Sequence, residues 1–441
     1  MIVMGISEGY HDAGVSIIDG PDIVHASHSE RYSRVKNDKW VSSQQLVNGL
    51  LIECDKVAYY ENPDLKNKRR EFAGQSAVDC KTDYDVCYPH HMTHAAAGYY
   101  TAPFDDCNII VVDAIGEFET VTIWDNMTMI KSWEYPYSLG LLYSAVTKRI
   151  GYTPNCDEYI TMAMAASGEP IYDLEPLLER NNHKGISLPW MLSARPEDLA
   201  ASVQQLYEKK LLELVELCPK DNLILMGGCA LNCVANSKIK DKNIWIMPSP
   251  GDAGSSLGAA ALVQKKKLNW TDPYLGYNID REINPREVVD QLLKAPTGVA
   301  NGRAEFGPRA LGNRSLLADP RKDVKEVVNT IKQREQFRPF APAILEEYSE
   351  EYFSGPMNRY MQFVAKAKHD HKSVTHIDGT ARVQIVEKDN KSILRPILEE
   401  WYERTGCPML LNTSLNIKGQ PMVNNKKDAD AFSKQYGVKV F

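Results

Sequence analysis

The chain has 441 residues, 43% of them hydrophobic and 25% charged, enough to fill two to four domains with a sizeable core. A formal net charge of -7 excludes a surface that attracts a polyanion such as DNA over its whole extent, though a local basic groove remains open. No run of about 18 apolar residues implies a membrane span.

Short apolar runs separated by Gly/Asp turns open the chain: IVMGIS at 2–7, GVSIIDG at 14–20 and DIVHASH at 22–28 predict a strand meander. A helix is predicted over 42–54, a strand over KVAYYE at 56–61 and a helix over 90–100. NIIVVDAIGE at 108–117 reads as a buried strand running into a glycine turn, with another strand at VTIWDN. Helices follow at 139–150 and 157–167, and Pro196 starts a long amphipathic helix reaching about Leu217. LILMGG reads as a strand, 229–240 as the helix after it, and 244–264 as strand, loop and helix again. Repeated strand–loop–helix units up to about 267 predict an α/β domain. A Tyr/Pro/Asn-rich passage at 268–285 marks a boundary, which divides the chain into residues 1–285 and 286–441, the second part carrying more short strands. No internal repeat is visible.

The N-terminus has neither a basic n-region nor an apolar h-region, so no secretory signal is expected. Nine scattered cysteines without a CxxC pair fit free thiols in a reducing cytoplasm.

Two constellations carry chemistry. His90 and His94 are four residues apart, so one helix face presents both to one metal ion. A helix surface with two satisfied histidines reads equally well from the pair alone. The protease motif HExxH is absent because His91 stands where the glutamate would be. Asp113 and Asp252 sit at strand ends, where α/β folds place functional carboxylates. Two imidazoles and two carboxylates suit Fe, Mn or Zn with an open position. The second constellation runs from Gly302 to Pro342. Arg303, Arg309, Arg314, Arg321, Lys332, Arg334 and Arg338 recur there among Gly, Pro, Asn and Ser, without a helical apolar stripe. Cations on such loops hold phosphate oxygens. Gly227-Gly228 before a helix is a further anion site, or simply a tight turn.

Together these residues lie in blocks that resemble the NodU/CmcH-type O-carbamoyltransferases. The blocks are His11-Asp12, SERYSRVKND (29–38), HHMTHAAAGYY (90–100), VVDAIGE (111–117), SLGLLYSAVT (138–147) and GGCALNCVAN (227–236). They continue with PGDAGSSLGAA (250–260), GRAEFGPRALGNRS (302–315), KQREQFRPFAPA (332–343), THIDGTARVQ (375–384) and LLNTSLNIKGQPM (410–422). The resemblance implies α/β and α+β architecture: an N-terminal Kae1-like domain of the actin/Hsp70/sugar-kinase superfamily and a C-terminal YrdC-like domain. It implies that the YrdC-like part makes O-carbamoyladenylate from carbamoyl phosphate and ATP with Mg²⁺. The Kae1-like part would then move the carbamoyl group to an acceptor hydroxyl at a metal site, with Fe expected and Mn or Zn as alternatives.

By the same resemblance, His90, His94, Asp113 and Asp252 are the metal ligands, His91 need not be one, and His11 handles the hydroxyl proton. Gly227, Gly228 and Asn232 match a nucleotide-binding turn. Lys332-x-Arg334 and Ser414-x-Asn416 match a phosphate clamp, with Arg309, Arg314, Arg338 and Arg382 completing an anionic pocket. The chain departs from the family at Ile160 and Ala163, at Gly419-Gln420-Pro421 and in its shortness between about 40 and 90. These departures leave the acceptor open: a small molecule or sugar, or a hydroxymethylated pyrimidine as nucleotide or in DNA. A homodimer is compatible with the sequence. A non-catalytic nucleotide-binding protein and a small-molecule kinase of the same superfamily are the competing readings.

Overall fold

The structure is a computed structural model that describes residues 1–50, 53–180 and 182–441. It comprises two compact units, Met1–Ser33 with Asn37–Thr271 and Arg34–Lys36 with Asp272–Phe441.

Among the described residues ten strands build the first unit: β1 (Ile2–Ser7), β2 (Gly14–Asp19), β3 (Asp22–His28), β4 (Lys56–Tyr59), β5 (Val86–Cys87), β6 (Asn108–Val112), β7 (Glu119–Asp125), β8 (Thr128–Glu134), β9 (Asn222–Met226) and β10 (Asn243–Trp245). They form two sheets, ordered β3-β2-β1-β4-β5 and β8-β7-β6-β9-β10. In each, three antiparallel meander strands are followed by one that pairs parallel with the first and a last one that pairs parallel with it. The unit is therefore a structural duplication, although the sequence shows none. Both strands are buried on both faces, which needs only a continuous apolar run, so IVMGIS and NIIVV take the same place with little identity between them.

The helices His90–Thr101 and Asp252–Gln264 pack against each other, the first against β6 and β9 and the second against β1 and β2. Both are buried on nearly all sides, so small residues replace an amphipathic stripe. A Cβ on Gly258 would lie 1.8 Å from the Thr93 carbonyl oxygen, and one on Gly5 would lie 1.8 Å from that of Ser256. Only glycine lets these backbones meet, and that contact sets the depth at which His94 and Asp252 face each other.

Several expectations shift in detail. The helix expected over 42–54 is observed as Ser43–Leu50, and residues 51 and 52 of that expectation lie outside the described residues. The helix expected over 229–240 is instead a 3-10 turn, Gly228–Leu231, and a four-residue helix, Cys233–Asn236. Asn232 interrupts it, because its side chain accepts from the Ala235 amide and starts a new helix. Helix Pro63–Phe72 was not anticipated, although Asn62 and Pro63 are its N-cap and first residue.

In the second unit a five-stranded sheet runs in the order Thr297–Ala300, Arg314–Ala318, Met409–Ser414, Ala341–Leu345, Gln384–Val386. The last pairing is parallel and the others are antiparallel. Alternate residues fill cores on its two faces. Leu316, Ile344 and Leu411 face one side with Phe340 and Phe432, while Leu317, Ala343 and Leu410 face the other with Trp401. Both faces are covered, which makes this unit the expected mixed α/β layer. Among the described residues no helix is long and apolar enough to cross a membrane.

Candidate functional site

Four side chains from three segments meet in the first unit. His90 and His94 lie on the first turns of helix His90–Thr101, Asp113 follows β6, and Asp252 opens helix Asp252–Gln264. All are at most 4% exposed. His90 Nε2 lies 2.9 Å from Asp113 Oδ2 and 3.0 Å from His94 Nε2. His94 Nε2 is 3.3 Å from Asp113 Oδ2, and Asp252 Oδ1 is 3.6 and 3.5 Å from the two imidazoles. Donor atoms at about 2.0–2.2 Å from one cation, spread at octahedral to tetrahedral angles, stand roughly 3.0–3.5 Å apart. The ligand atoms all fall within 4.8 Å of one another. Neither Asp252 oxygen has a hydrogen-bond partner, though both are buried. Buried carboxylate oxygens left in this way fit a divalent cation.

The surroundings hold this geometry. Asp113 Oδ1 accepts from the Ala114 amide at 2.8 Å and the Gly228 amide at 3.4 Å, which turns Oδ2 toward the histidines. Both Glu117 oxygens lie 3.0 Å from the His90 amide, so this carboxylate caps the helix that carries the pair. Tyr60 meets the His90 ring edge-on at 5.2 Å. His91 turns away to Thr122 at 2.9 Å, where burial and the neighbouring His90 push its pKa well below the usual value. Burial would also lower His90, but the Asp113 hydrogen bond and the charges of Asp252 and Asp113 raise it to about 9. Asp113 is buried too, yet its hydrogen bonds to both histidines hold its carboxyl well below the carboxylate range.

His11 is brought to the same place. Its Nδ1 is 3.0 Å from Asp12 and 3.8 Å from Asp252 Oδ2. Burial opposes its charged form, but Asp252 and Asp12 raise its pKa to about 10. The glycine turn adjoins the cluster as well. Gly227 has φ 89°, and a Cβ there would be 2.2 Å from the Val112 carbonyl oxygen. Asn232 is tied down, giving Nδ2 to Gln204 at 2.9 Å while its Oδ1 accepts from Ala235 and Gln204.

The second unit gathers the clamp. Lys332 is 4% exposed, and its Nζ donates to the carbonyl of Ser414, to Ser414 Oγ at 3.2 Å, and to Asn416 O and Oδ1, both at 3.0 Å. Ser414 Oγ donates to Asn416 Oδ1 at 2.6 Å. Burial and the charges of Arg334 and Arg338 pull the Lys332 pKa well below that of a free lysine. Arg334 donates Nε to Asn329 at 2.6 Å and lies 4.1 Å over the Phe340 ring. Arg338 pairs with Glu335 at 3.4 Å. Arg309 and Arg382 are half-buried. Arg314 differs from the expected anion ligand. It is fully buried, and its guanidinium donates to the carbonyls of Tyr277, Asn301, Gly302, Asn313 and Asn424. All its donors are spent on holding loops together. Glu117, Gln204 and Arg69 are polar residues around the first-unit cluster that the sequence did not single out. Each acts through partners distant along the chain.

A model of the carbamoyltransferase N-terminus matches residues 63–183 and 187–261, and one of the carbamoyltransferase C-terminus matches 291–441. The protein sll1178 of Synechocystis is 30% identical over 97% of this chain and 93% of its own length. The chain belongs to the carbamoyltransferase family. Other relatives are nodulation protein NolNO of Sinorhizobium fredii, 29% identical over 95% of this chain and 76% of that protein, and NolO of Bradyrhizobium diazoefficiens, 30% identical over 77% and 75%. Among solved structures, this carbamoyltransferase is similar to the ADPNP-bound activator of 2-hydroxyisocaproyl-CoA dehydratase from Clostridium difficile. That match is 16% identical with a TM-score of 0.41, over 62% of this chain and all of that one. It is also similar to HypF of T. kodakarensis at 14% and 0.34, over 59% and 47%. As a member of the family, the protein is a transferase that carries a carbamoyl group.

Proposed function

We propose that this carbamoyltransferase is ATP-dependent and O-directed, with activation in the second unit and transfer in the first. The observation that carries the reading is the meeting of Lys332 with Ser414 and Asn416, 82 and 84 residues away, beside the charges of Arg334 and Arg338. The oxygens of Ser414 and Asn416 occupy the Lys332 ammonium, so an incoming phosphate would exchange with one of them, and its charge would restore what burial and the two arginines oppose.

Carbamoyl phosphate would lose orthophosphate to water, and the resulting carbamate oxygen would attack the α-phosphorus of Mg²⁺-bound ATP. Pyrophosphate leaves and O-carbamoyladenylate forms. Lys332, Arg334 and Arg338, with Arg309 and Arg382, would position and neutralise the phosphates, which is most of what a protein contributes to such a step.

In the first unit, His90, His94, Asp113 and Asp252 would hold one divalent transition metal, Fe or else Mn or Zn. When bound, that metal supplies a Lewis acid for the carbamoyl carbonyl. The acceptor oxygen bonds to the carbamoyl carbon as AMP departs. His11 is the candidate to take the hydroxyl proton: Asp12 fixes Nδ1 and leaves Nε2 for the exchange, and engagement of Asp252 as a metal ligand would remove the main charge that keeps the ring protonated. Gly227 and Gly228, which have no side chains, would let the leaving nucleotide approach the turn closely, while Asn232 holds that turn.

Incubation with carbamoyl phosphate, ATP and Mg²⁺ should release pyrophosphate, and AMP should appear once an accepted hydroxyl compound is added. ADP as the product would indicate a kinase. Binding of nucleotide without turnover would indicate a non-catalytic protein.

A further inference from the structure

Helix Pro63–Phe72 buries the wrong kind of face for an ordinary surface helix: its two buried side chains are Lys66 and Arg69. Lys66 is paired with Glu61. Arg69 is 2% exposed and uses Nε on the Glu117 carbonyl at 3.1 Å, but its Nη1 is buried with no hydrogen-bond partner. Three residues along the same helix, Phe72 meets Tyr135 edge-on at 6.1 Å, so the Arg69 face is turned toward Tyr135. The Tyr135 hydroxyl is also buried and unpaired. Its ring lies 5.2 Å from His183, whose Nε2 is a third buried atom without a partner. The charge of Arg69 acts on Tyr135, on His183 and on Tyr10, which adjoins His11 at 4.6 Å between ring centroids. A guanidinium nitrogen, a phenol and an imidazole, all unsatisfied in one neighbourhood, are the donor set of an anion.

We propose that Arg69, Tyr135 and His183 form a subsite for an anionic group on the carbamoyl acceptor, so that the acceptor is a hydroxyl compound bearing a phosphate or another acidic group. The inference rests on transfer taking place beside His11. Arg69 reaches the metal helix through Glu117, whose carboxylate caps His90, so an acceptor anchored on Arg69 presents its hydroxyl toward that cluster. A charged group buried with a single guanidinium hydrogen bond is worth roughly 10- to 100-fold in affinity. Neutral analogues forfeit that gain and leave the Arg69 Nη1 without a partner.

The test compares matched acceptors in the presence of carbamoyl phosphate, ATP and Mg²⁺: 5-hydroxymethyldeoxycytidine against its 5′-monophosphate, and glucose against glucose 6-phosphate. In at least one pair the phosphorylated member should show an acceptor KM, or a Kd by calorimetry, that is 10-fold or more lower. Arg69→Gln should abolish the difference, Arg69→Lys should keep part of it, and Tyr135→Phe should reduce it without a change in circular dichroism. The proposal is overturned if both members of every pair bind alike or not at all, or if the preference survives in Arg69→Gln. Pyrophosphate release by the unaltered protein, read in the same reactions, reports separately on the adenylation reading.

Discussion

At the residue scale the two constellations make separable predictions. Asp252 contributes a carboxylate whose oxygens have no other hydrogen bond, so its amide loses the charge and little else. Asp252→Asn should bind transition metal substoichiometrically by elemental analysis and lower carbamoyl transfer by roughly two orders of magnitude, the scale typical of metal-site damage. Its melting temperature should stay close to that of the unaltered protein. Lys332→Met keeps the volume and removes the clamp, so pyrophosphate release should fall by a similar factor while metal content stays stoichiometric. If Lys332→Met instead releases pyrophosphate normally, the phosphate role of that lysine is excluded. These residues were legible for simple reasons. The i, i+4 spacing of His90 and His94 survives in any helix, Asp113 directly follows an apolar strand, and Asp252 stands in a Pro-Gly-Asp turn at which a helix starts. Glu117 and Arg69 were not legible, because their partners are the amide of His90 and the carbonyl of Glu117, which only tertiary folding supplies. Arg314 shows the converse. Its place in an arginine-rich loop suggested an anion ligand, but its burial among five residues' carbonyls could not be read from neighbours in sequence.

At the element scale the cluster depends on how closely two helices approach. Gly258 lies against the Thr93 carbonyl, one residue before His94, and a Cβ there would sit 1.8 Å from that oxygen. Gly258→Ala must push the helices apart. Overpacking of this kind costs roughly 1–3 kcal/mol, so thermal unfolding should show a lower melting temperature. Because the shift falls between His94 and Asp252, metal affinity should drop as well, although no ligand is altered. Normal metal affinity at a lowered melting temperature would show that the site adjusts independently of the helix contact. Elements defined by local rules were readable: the N-terminal meander from its short apolar runs and Gly/Asp turns, and the long helix from Pro196. Helix Pro63–Phe72 was missed because its buried face is cationic and its apolar Phe72 is exposed, the inverse of the pattern that marks a helix. The stretch after Gly228 was read as one helix because its apolar periodicity continues across Asn232, whereas the amide of that residue breaks it.

At the scale of the whole molecule, the duplicated sheets and the separate second unit explain why the charge of the chain says so little about its function. A net charge of -7 averages over an acidic, imidazole-rich cluster in one unit and a cationic clamp in the other. Each site is assembled from residues of a single unit, so the proposed division of labour can be tested by removing the metal alone. A chelator selective for transition metals, used with Mg²⁺ in excess, should bring carbamoyl transfer to background. Acceptor-independent pyrophosphate release should stay within about twofold, because the groups proposed for phosphoryl positioning are lysine and arginine. Restoration with Fe²⁺, Mn²⁺ or Zn²⁺ would identify the ion the ligand set accepts. If pyrophosphate release and transfer fall together, and both return with the same ion, the metal serves activation as well. The assignment of activation to Lys332 and its partners alone would then be untenable.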